Sequence, residues 1–191
     1  MIILNANFLN DLLPAASVDK SRPYINGVFV EDVNGKRIYT ATNGHVLLRQ
    51  VGDIWADSDP LPEGGILLKL PRKIKTLKNE MVNFMIKLID GEEQGQIFGA
   101  KDNMLFDILK VKVPNLENII DDTHFHIQRN AWIPCAPRYL ELICRFFGNV
   151  ALESPLTNND DLLYESCAMK WEKKDYKGNL EKLAILMPVR I

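Results

Sequence analysis

The sequence predicts an α+β protein built from strand–helix–three-strand units, with helices on one face of antiparallel sheets. Three observations predict it. Short apolar and β-branched runs are joined by turn dipeptides such as Asn34-Gly35, which accepts the positive φ of a tight hairpin. The helical stretches are amphipathic at a 3.6-residue period, as suits helices lying on a sheet. The order strand, helix, three strands also recurs three times along the 191 residues, as a repeat of element order without shared residues.

The first unit opens with an apolar strand, Met1 to Leu4. Asn5 or Asn7 can cap a helix in which Phe8, Leu9, Leu12 and Leu13 share a face, and Pro14 should end it early. Strands are expected at 24–31, 36–42 and 46–51, with Thr42-Asn-Gly-His45 read as a second Asn-Gly turn. The second unit has a strand over 66–70 running into Pro71, a good first helical residue, and a helix over 72–82. Strands at 84–89, 94–99 and 104–111 follow. Residues 114–122 read as a connector, with a boundary near 120 that separates a 1–120 domain of two units from a 121–191 half-domain. The third unit has a strand near 124–129, a helix from Pro137 to Phe147 stopped by Gly148, and strands at 150–153, 162–171 and 183–191.

Composition narrows the function classes. The 23 Lys+Arg against 25 Asp+Glu give a net charge of −2, which excludes a binder relying on overall positive charge but not a basic patch. Three cysteines without framework spacing fit a reduced, cytoplasmic chain. No signal or membrane segment is expected.

Searching for reactive constellations yields none. Gly64-Gly65 lacks the spacing and the following Lys-Ser/Thr of a phosphate loop. His124 and His126 share a strand face but have no acid or cysteine at ligand spacing, so no metal is expected. Cys135 has no marked base, and Cys144 falls on an apolar helix face. No reaction type, cofactor or catalytic residue emerges. The helix faces carry more information. In the 72–82 helix Leu70, Ile74, Leu77 and Met81 fall on one side, with Arg72, Lys73, Lys75 and Lys78 opposite or flanking. Such a face is either simply solvated or a surface for phosphates, which needs no base readout.

Specific residues carry a resemblance. Arg22-Pro-Tyr-Ile-Asn-Gly-Val-Phe-Val-Glu31 followed by Ile38-Tyr-Thr-Ala-Thr-Asn-Gly-His-Val-Leu47 resembles the central domain of the bacterial sliding clamp, the β subunit of DNA polymerase III. Leu70-Pro-Arg-Lys73 is similar to the family's Val-Pro-Arg-Lys, and Leu186-Met-Pro-Val-Arg-Ile191 to its C-terminal Val-Met-Pro-Met-Arg-Leu. The resemblance spans nearly the whole chain: 1–120 matches the central domain and about 130–191 the last half of the final domain. It implies a DNA-clamp fold. Nothing matches the family's first domain or the first half of its last one, so the chain has three half-domain units, an odd number, and the lone third unit should need a partner or a covering loop at its sheet edge. Asn43 and Val46 stand where the family has an acid and a base, and Pro23 where it has an aromatic.

The resemblance also implies sites. Family clamps capture short peptides with Leu and Phe anchors from polymerases, the clamp loader and repair proteins. The matching groove positions are Ile25, Thr42, Gly44, His45, Leu47, Pro114 and Ile119, with Ile185, Met187, Pro188, Val189 and Arg190 from the C-terminal strand. Aliphatic and Met side chains suit such anchors. Ordinary strand packing would account for the same residues. For double-stranded DNA, held by topology and non-specific phosphate contact, Arg72 and Lys73 match the family, and helix geometry adds Lys75 and Lys78. Lys20, Arg22, Tyr24, Arg138 and Arg145 complete the candidate set.

Two functions compete. One is a shortened sliding clamp that forms a homo-oligomeric ring and acts as a processivity factor in DNA replication. The other is a clamp-derived module that binds clamp-interacting peptides as a regulator or decoy without encircling DNA.

Overall fold

A computed structural model describes residues 1–76, 80–89, 92–99, 101–109, 113, 116, 120, 126–127, 136–148, 156–157 and 169–186. Among these residues twelve strands join in the order β1-β6-β7-β8-β5-β2-β3-β4-β12-β11-β10-β9, and the pairings between them are antiparallel.

The first unit follows its sequence closely. β1 (Ile2–Asn5) leads into α1 (Ala6–Leu12), and Asn5 Oδ1 caps the helix by accepting from the N–H groups of Asn7 and Phe8 at 3.0 and 3.2 Å. Pro14 ends α1, the chain tightening into a one-turn 3₁₀ helix over Leu13–Ala15. The strand expected from Tyr24 begins later. Pro23 opens a second 3₁₀ turn through Ile25, so β2 spans Val28–Val33. Asn34 and Gly35 both take positive φ, 51° and 75°, and the hairpin returns as β3 (Lys36–Thr42). β4 (Val46–Asp53) follows a three-residue loop rather than the expected two-residue turn, because Asn43 Oδ1 accepts from the backbone of His45 and Val46 and only Gly44 has positive φ.

The second unit departs from expectation. β5 (Ile66–Leu68) is followed by irregular backbone through residue 76, and β6 (Met81–Ile89) already pairs with β1 at Met81. The helix expected over 72–82 is therefore absent from its described residues. Long-range bonds hold an extended strap instead: Asn10 Nδ2 donates to Ile74 O and Asn10 Oδ1 accepts from Ile74 N, both at 2.8 Å. These bonds satisfy backbone groups a helix turn would have used, and Ile74 is buried beside α1. β7 (Glu92–Phe98) and β8 (Asn103–Leu109) complete the unit.

The two units interlock, since β1 pairs with β6 and β5 pairs with β2, each unit's first strand joining the other's second. In the third unit β9 (His126–Ile127) pairs with its own unit's β10 (Leu156–Thr157). β9 is the last strand of the sheet order, so among the described residues the third unit keeps an open edge. α2 (Pro137–Phe147) has Pro at N1 and ends at Gly148 in the left-handed region, matching its sequence signals. β11 (Met169–Lys174) and β12 (Leu180–Leu186) close the unit, and β12 pairs with β4 over Val46–Gln50. The strand expected at 150–153 lies outside the described residues.

α1 and α2 lie on one face of the sheet. There Leu9, Leu12, Leu48, Tyr139, Ile143 and Leu186 share one core. Phe8 meets Tyr39 edge-to-face at 5.4 Å. Burial pushes the Tyr39 phenol up to about 12, although it accepts from Asn5 N. Arg37, 1% exposed, seals the end of this face: it forks onto Asp32 and donates to Ile3 O and Ser58 Oγ. Among the described residues no helix is long and apolar enough to cross a membrane.

Candidate partner groove and basic helix face

Strand alternation sorts the site residues onto two faces. On β4, Leu47 and Arg49 point away from the helices, while Val46 and Leu48 join the helix-side core. On β12 the outward residues are Leu183 and Ile185, and Leu47 stands opposite Ile185 in register. Connector residues Leu116 and Ile120 lie over this β4–β12 joint, with Val113 and Leu180 at its margin. The result is a small second core on the outer face, distinct from the helix-side core.

Beside it lies a shallow recess of only about 10 Å³, lined by Ile25, Phe29, Thr42, Leu67, Val113 and Leu116. Ile25 is brought there by the 3₁₀ turn after Pro23, and Thr42 by the last position of β3. Thr42 Oγ1 donates to Val46 O at 2.9 Å and accepts from Gly44 N, fixing the loop that follows. So Ile25, Thr42, Leu47 and Ile185, separated widely in sequence, gather at one joint. Pro114, Ile119, Met187, Pro188, Val189 and Arg190 lie outside the described residues.

His45 goes elsewhere. Its ring stacks on Tyr139 of α2, with centroids 5.6 Å apart and planes at 22°, on the helix side of the sheet. Gly44, at φ 87°, brings the backbone close to Arg22, whose Nη1 lies 3.0 Å from where a Cβ would stand. His45, Arg22, Asp19, Arg138 and Arg145 line an open cleft of about 490 Å³ between the loop after α1 and α2. Arg138 caps the Tyr139 ring with its guanidinium 4.7 Å from the centroid.

The other basic candidates differ in how far they are committed. Arg72 is held by Asp102, its two terminal nitrogens donating to the two carboxylate oxygens at 2.5 and 2.7 Å. Asp102 also accepts from Lys75 N at 2.8 Å. Those bonds, the Arg72 ones first, hold the Asp102 carboxyl well below the usual carboxylate range. Lys73 and Lys75 extend from the strap into solvent, as do Lys20 and Tyr24 from the first loop. Arg22 pairs with Asp19 at 3.0 Å and Arg145 with Glu141 at 2.5 Å, exposed pairs that solvent weakens. Lys78 lies outside the described residues.

Sequence reasoning misses several residues of the outer face. Leu116, Ile120 and Leu183 build the small core, and the spacing of Val113, Leu116 and Ile120 is a local signal that could have found them. The buried Lys170, paired with Glu172 at 2.7 Å, sits in the row running from Leu47 through Ile185, and Arg49 donates to Thr40 Oγ1 one row away. No local pattern predicts that cluster, because three separate strands supply it.

No protein-family model matches the chain, and no curated protein matches it in sequence. The fold, however, is that of solved sliding clamps. The DNA polymerase III β-subunit clamp of Bartonella birtlesii, solved bound to griselimycin, superposes with a TM-score of 0.66 at 16% identity, covering 100% of this chain and 66% of that one. A Pseudomonas aeruginosa clamp gives 0.66 at 14% identity, with 100% and 66% covered. The β chain from Streptococcus pneumoniae gives 0.64 at 14%, with 100% and 64% covered. The chain thus has a shortened clamp architecture, spanning about two thirds of the length of the clamps it matches.

Proposed function

We propose that this chain is a sliding-clamp-type accessory protein that tethers a polymerase or other replication and repair proteins to DNA through a short-peptide groove, without catalysing a reaction. The observation that carries the reading is the convergence of Ile25, Thr42, Leu47 and Ile185 at the β4–β12 joint, beside an apolar recess. These side chains suit Leu and Phe anchors, and the connector over them supplies adaptable apolar cover. DNA is held without sequence preference by Lys73, Lys75, Arg138 and Arg145 on the helix side, supported by Lys20, Arg22 and Tyr24. Pro114, Ile119, Met187, Pro188, Val189 and Arg190 belong to the groove in this reading, and Lys78 to the basic face. His45 and Gly44 shape the cleft behind the groove loop.

Fluorescence anisotropy with a labelled peptide carrying Leu and Phe anchors tests the groove. Binding that weakens on Ile25→Ala and Val113→Asp, with the fold intact by circular dichroism, supports it. Equal binding to both variants counts against it.

One observation favours the second reading, a non-encircling peptide-binding module. Arg72 is closed on Asp102, and the second unit presents a strap where the sequence pattern calls for a DNA-facing helix. Peptide capture without retention on circular DNA would select that reading.

A further inference from the structure

We propose that the cleft between the loop after α1 and the first turns of α2 is a binding site for a nucleoside 5′-phosphate, with the base on His45 and the phosphate on Arg138. The cleft holds about 490 Å³, within the roughly 300–1,000 Å³ of small-molecule sites. Two kinds of surface meet in it. Pro14, Ala16, Val18 and Leu142 supply apolar wall, while Arg22, Arg138 and Arg145 bring three guanidinium groups to the same space. Such a lining suits a ligand that is part flat ring and part anion.

The flat part has a prepared platform. The loop between β3 and β4 carries His45 to this side, where its ring stacks on Tyr139. Tyr139 is buried, so the imidazole has a fixed support. His45 itself is exposed and lines the cleft, which leaves the ring face turned away from Tyr139 open to a base. Asn43 lines the cleft beside it. Its Oδ1 is spent on the N–H groups of His45 and Val46, at 2.9 and 3.1 Å. The amide nitrogen remains to donate to a carbonyl or ring nitrogen of the base.

The arginines divide by partner. Arg22 is held by Asp19 and Arg145 by Glu141, and both carboxylates also line the cleft. Arg138 has no carboxylate partner among the described residues. Its Nη2 donates to the Tyr139 hydroxyl at 2.9 Å, and its guanidinium lies 4.7 Å from the ring centroid. A guanidinium anchored on a ring has little freedom left to lose, and its remaining donors suit a phosphate. The first turn of α2, to which Arg138 belongs, carries no acid and no side-chain cap among the described residues, so the helix dipole adds to the positive potential there. Gly44 admits a second guanidinium, since a Cβ there would stand 3.0 Å from Arg22 Nη1. The Arg22 and Arg145 pairs are exposed, so either can turn from its carboxylate to a phosphate at small cost.

This site shares its arginines with the DNA contacts of the tethering reading but stands without that reading. A free mononucleotide and the unpaired, 5′-phosphorylated end of a strand present the same group, and titration calorimetry of the full chain tells them apart. The probes are deoxyadenosine 5′-monophosphate, deoxyadenosine, inorganic phosphate and a 5′-phosphorylated oligodeoxyadenylate. The monophosphate should bind about tenfold more tightly than either half alone. Arg138→Gln and His45→Ala should each weaken it about tenfold, with the fold intact by circular dichroism. His45→Phe, which keeps a ring on Tyr139, and Lys177→Gln, a charge removed on the β11–β12 turn, should leave it unchanged. An oligonucleotide that binds more tightly than the monophosphate, and weakens in the same variants, makes the strand end the source. One that binds no more tightly makes it the free nucleotide. Absence of monophosphate binding overturns the inference, as does equal binding of phosphate alone or indifference to both Arg138→Gln and His45→Ala. Duplex binding that persists beside such a result leaves the tethering reading standing, and nucleotide binding without duplex binding leaves this site standing where that reading fails.

Discussion

Leu47 of β4 faces Ile185 of β12 in an antiparallel register, and this contact welds the third unit to the first. Its side chains are turned away from the helices, so the weld also builds the floor of the candidate groove. In the proposed reading, stability and peptide capture are coupled at this pair: a substitution that opens the candidate groove also loosens the joint.

Leu47→Ala and Ile185→Ala should therefore each destabilise the fold by about 2–4 kcal/mol, the cost of a cavity at a buried aliphatic side chain. Both residues are no more than 2% exposed. They share the same small core, so the double variant should lose less than the sum of the two. Urea unfolding of the three variants measures this, and strict additivity would separate the two residues energetically.

The strap predicts an acid-dependent contribution to stability. Asp102 is ionised in the fold at pH values where the unfolded chain would already protonate it, because Arg72 and Lys75 N hold the carboxylate. A lowered folded pKa adds stability that is fully present above the unfolded value, about 3.9, and is lost as pH falls toward the folded one. The stability gap between the parent chain and Asp102→Asn should be constant from neutral pH to about pH 5 and shrink below about pH 4. A gap that grows on acidification would contradict the assignment.

On the helix side, reversing Lys73, Lys75 and Arg138 to Glu should weaken DNA association and flatten its salt dependence, since each phosphate left without its cation takes away about one unit of slope. Arg72→Gln should change DNA association less than Lys73→Gln, because Arg72 is already bound to Asp102. Filter binding over a salt series reads both effects. Equal effects of the two Gln variants would place Arg72 on DNA after all.

Much of this arrangement is legible in the sequence where local signals decide it. β3 and α2 fall on their expected residues because an Asn-Gly turn starts one, and Pro137 and Gly148 bracket the other. The candidate groove residues Ile25, Thr42, Leu47 and Ile185 are reached through motif resemblance, and strand pairing brings the last three together. The strap is not legible. Leu70, Ile74 and Met81 have helical spacing, but Asn10 and Asp102 hold the backbone through side-chain bonds from distant parts of the chain. β6 then claims Met81 for pairing with Asn5. The motif around His45 puts that residue with the groove, yet Tyr139, about ninety residues on in the chain, draws its ring to the helix side. Periodicity carries no information about such contacts.

Retention on circular DNA tests the central claim most directly. The full chain is loaded on a nicked circle, unbound protein is removed, and the circle is then cut once. A sliding-clamp function predicts protein that stays on the intact circle through a moderate-salt wash and is lost on linearisation. Protein that dissociates from both forms at the same rate would contradict it.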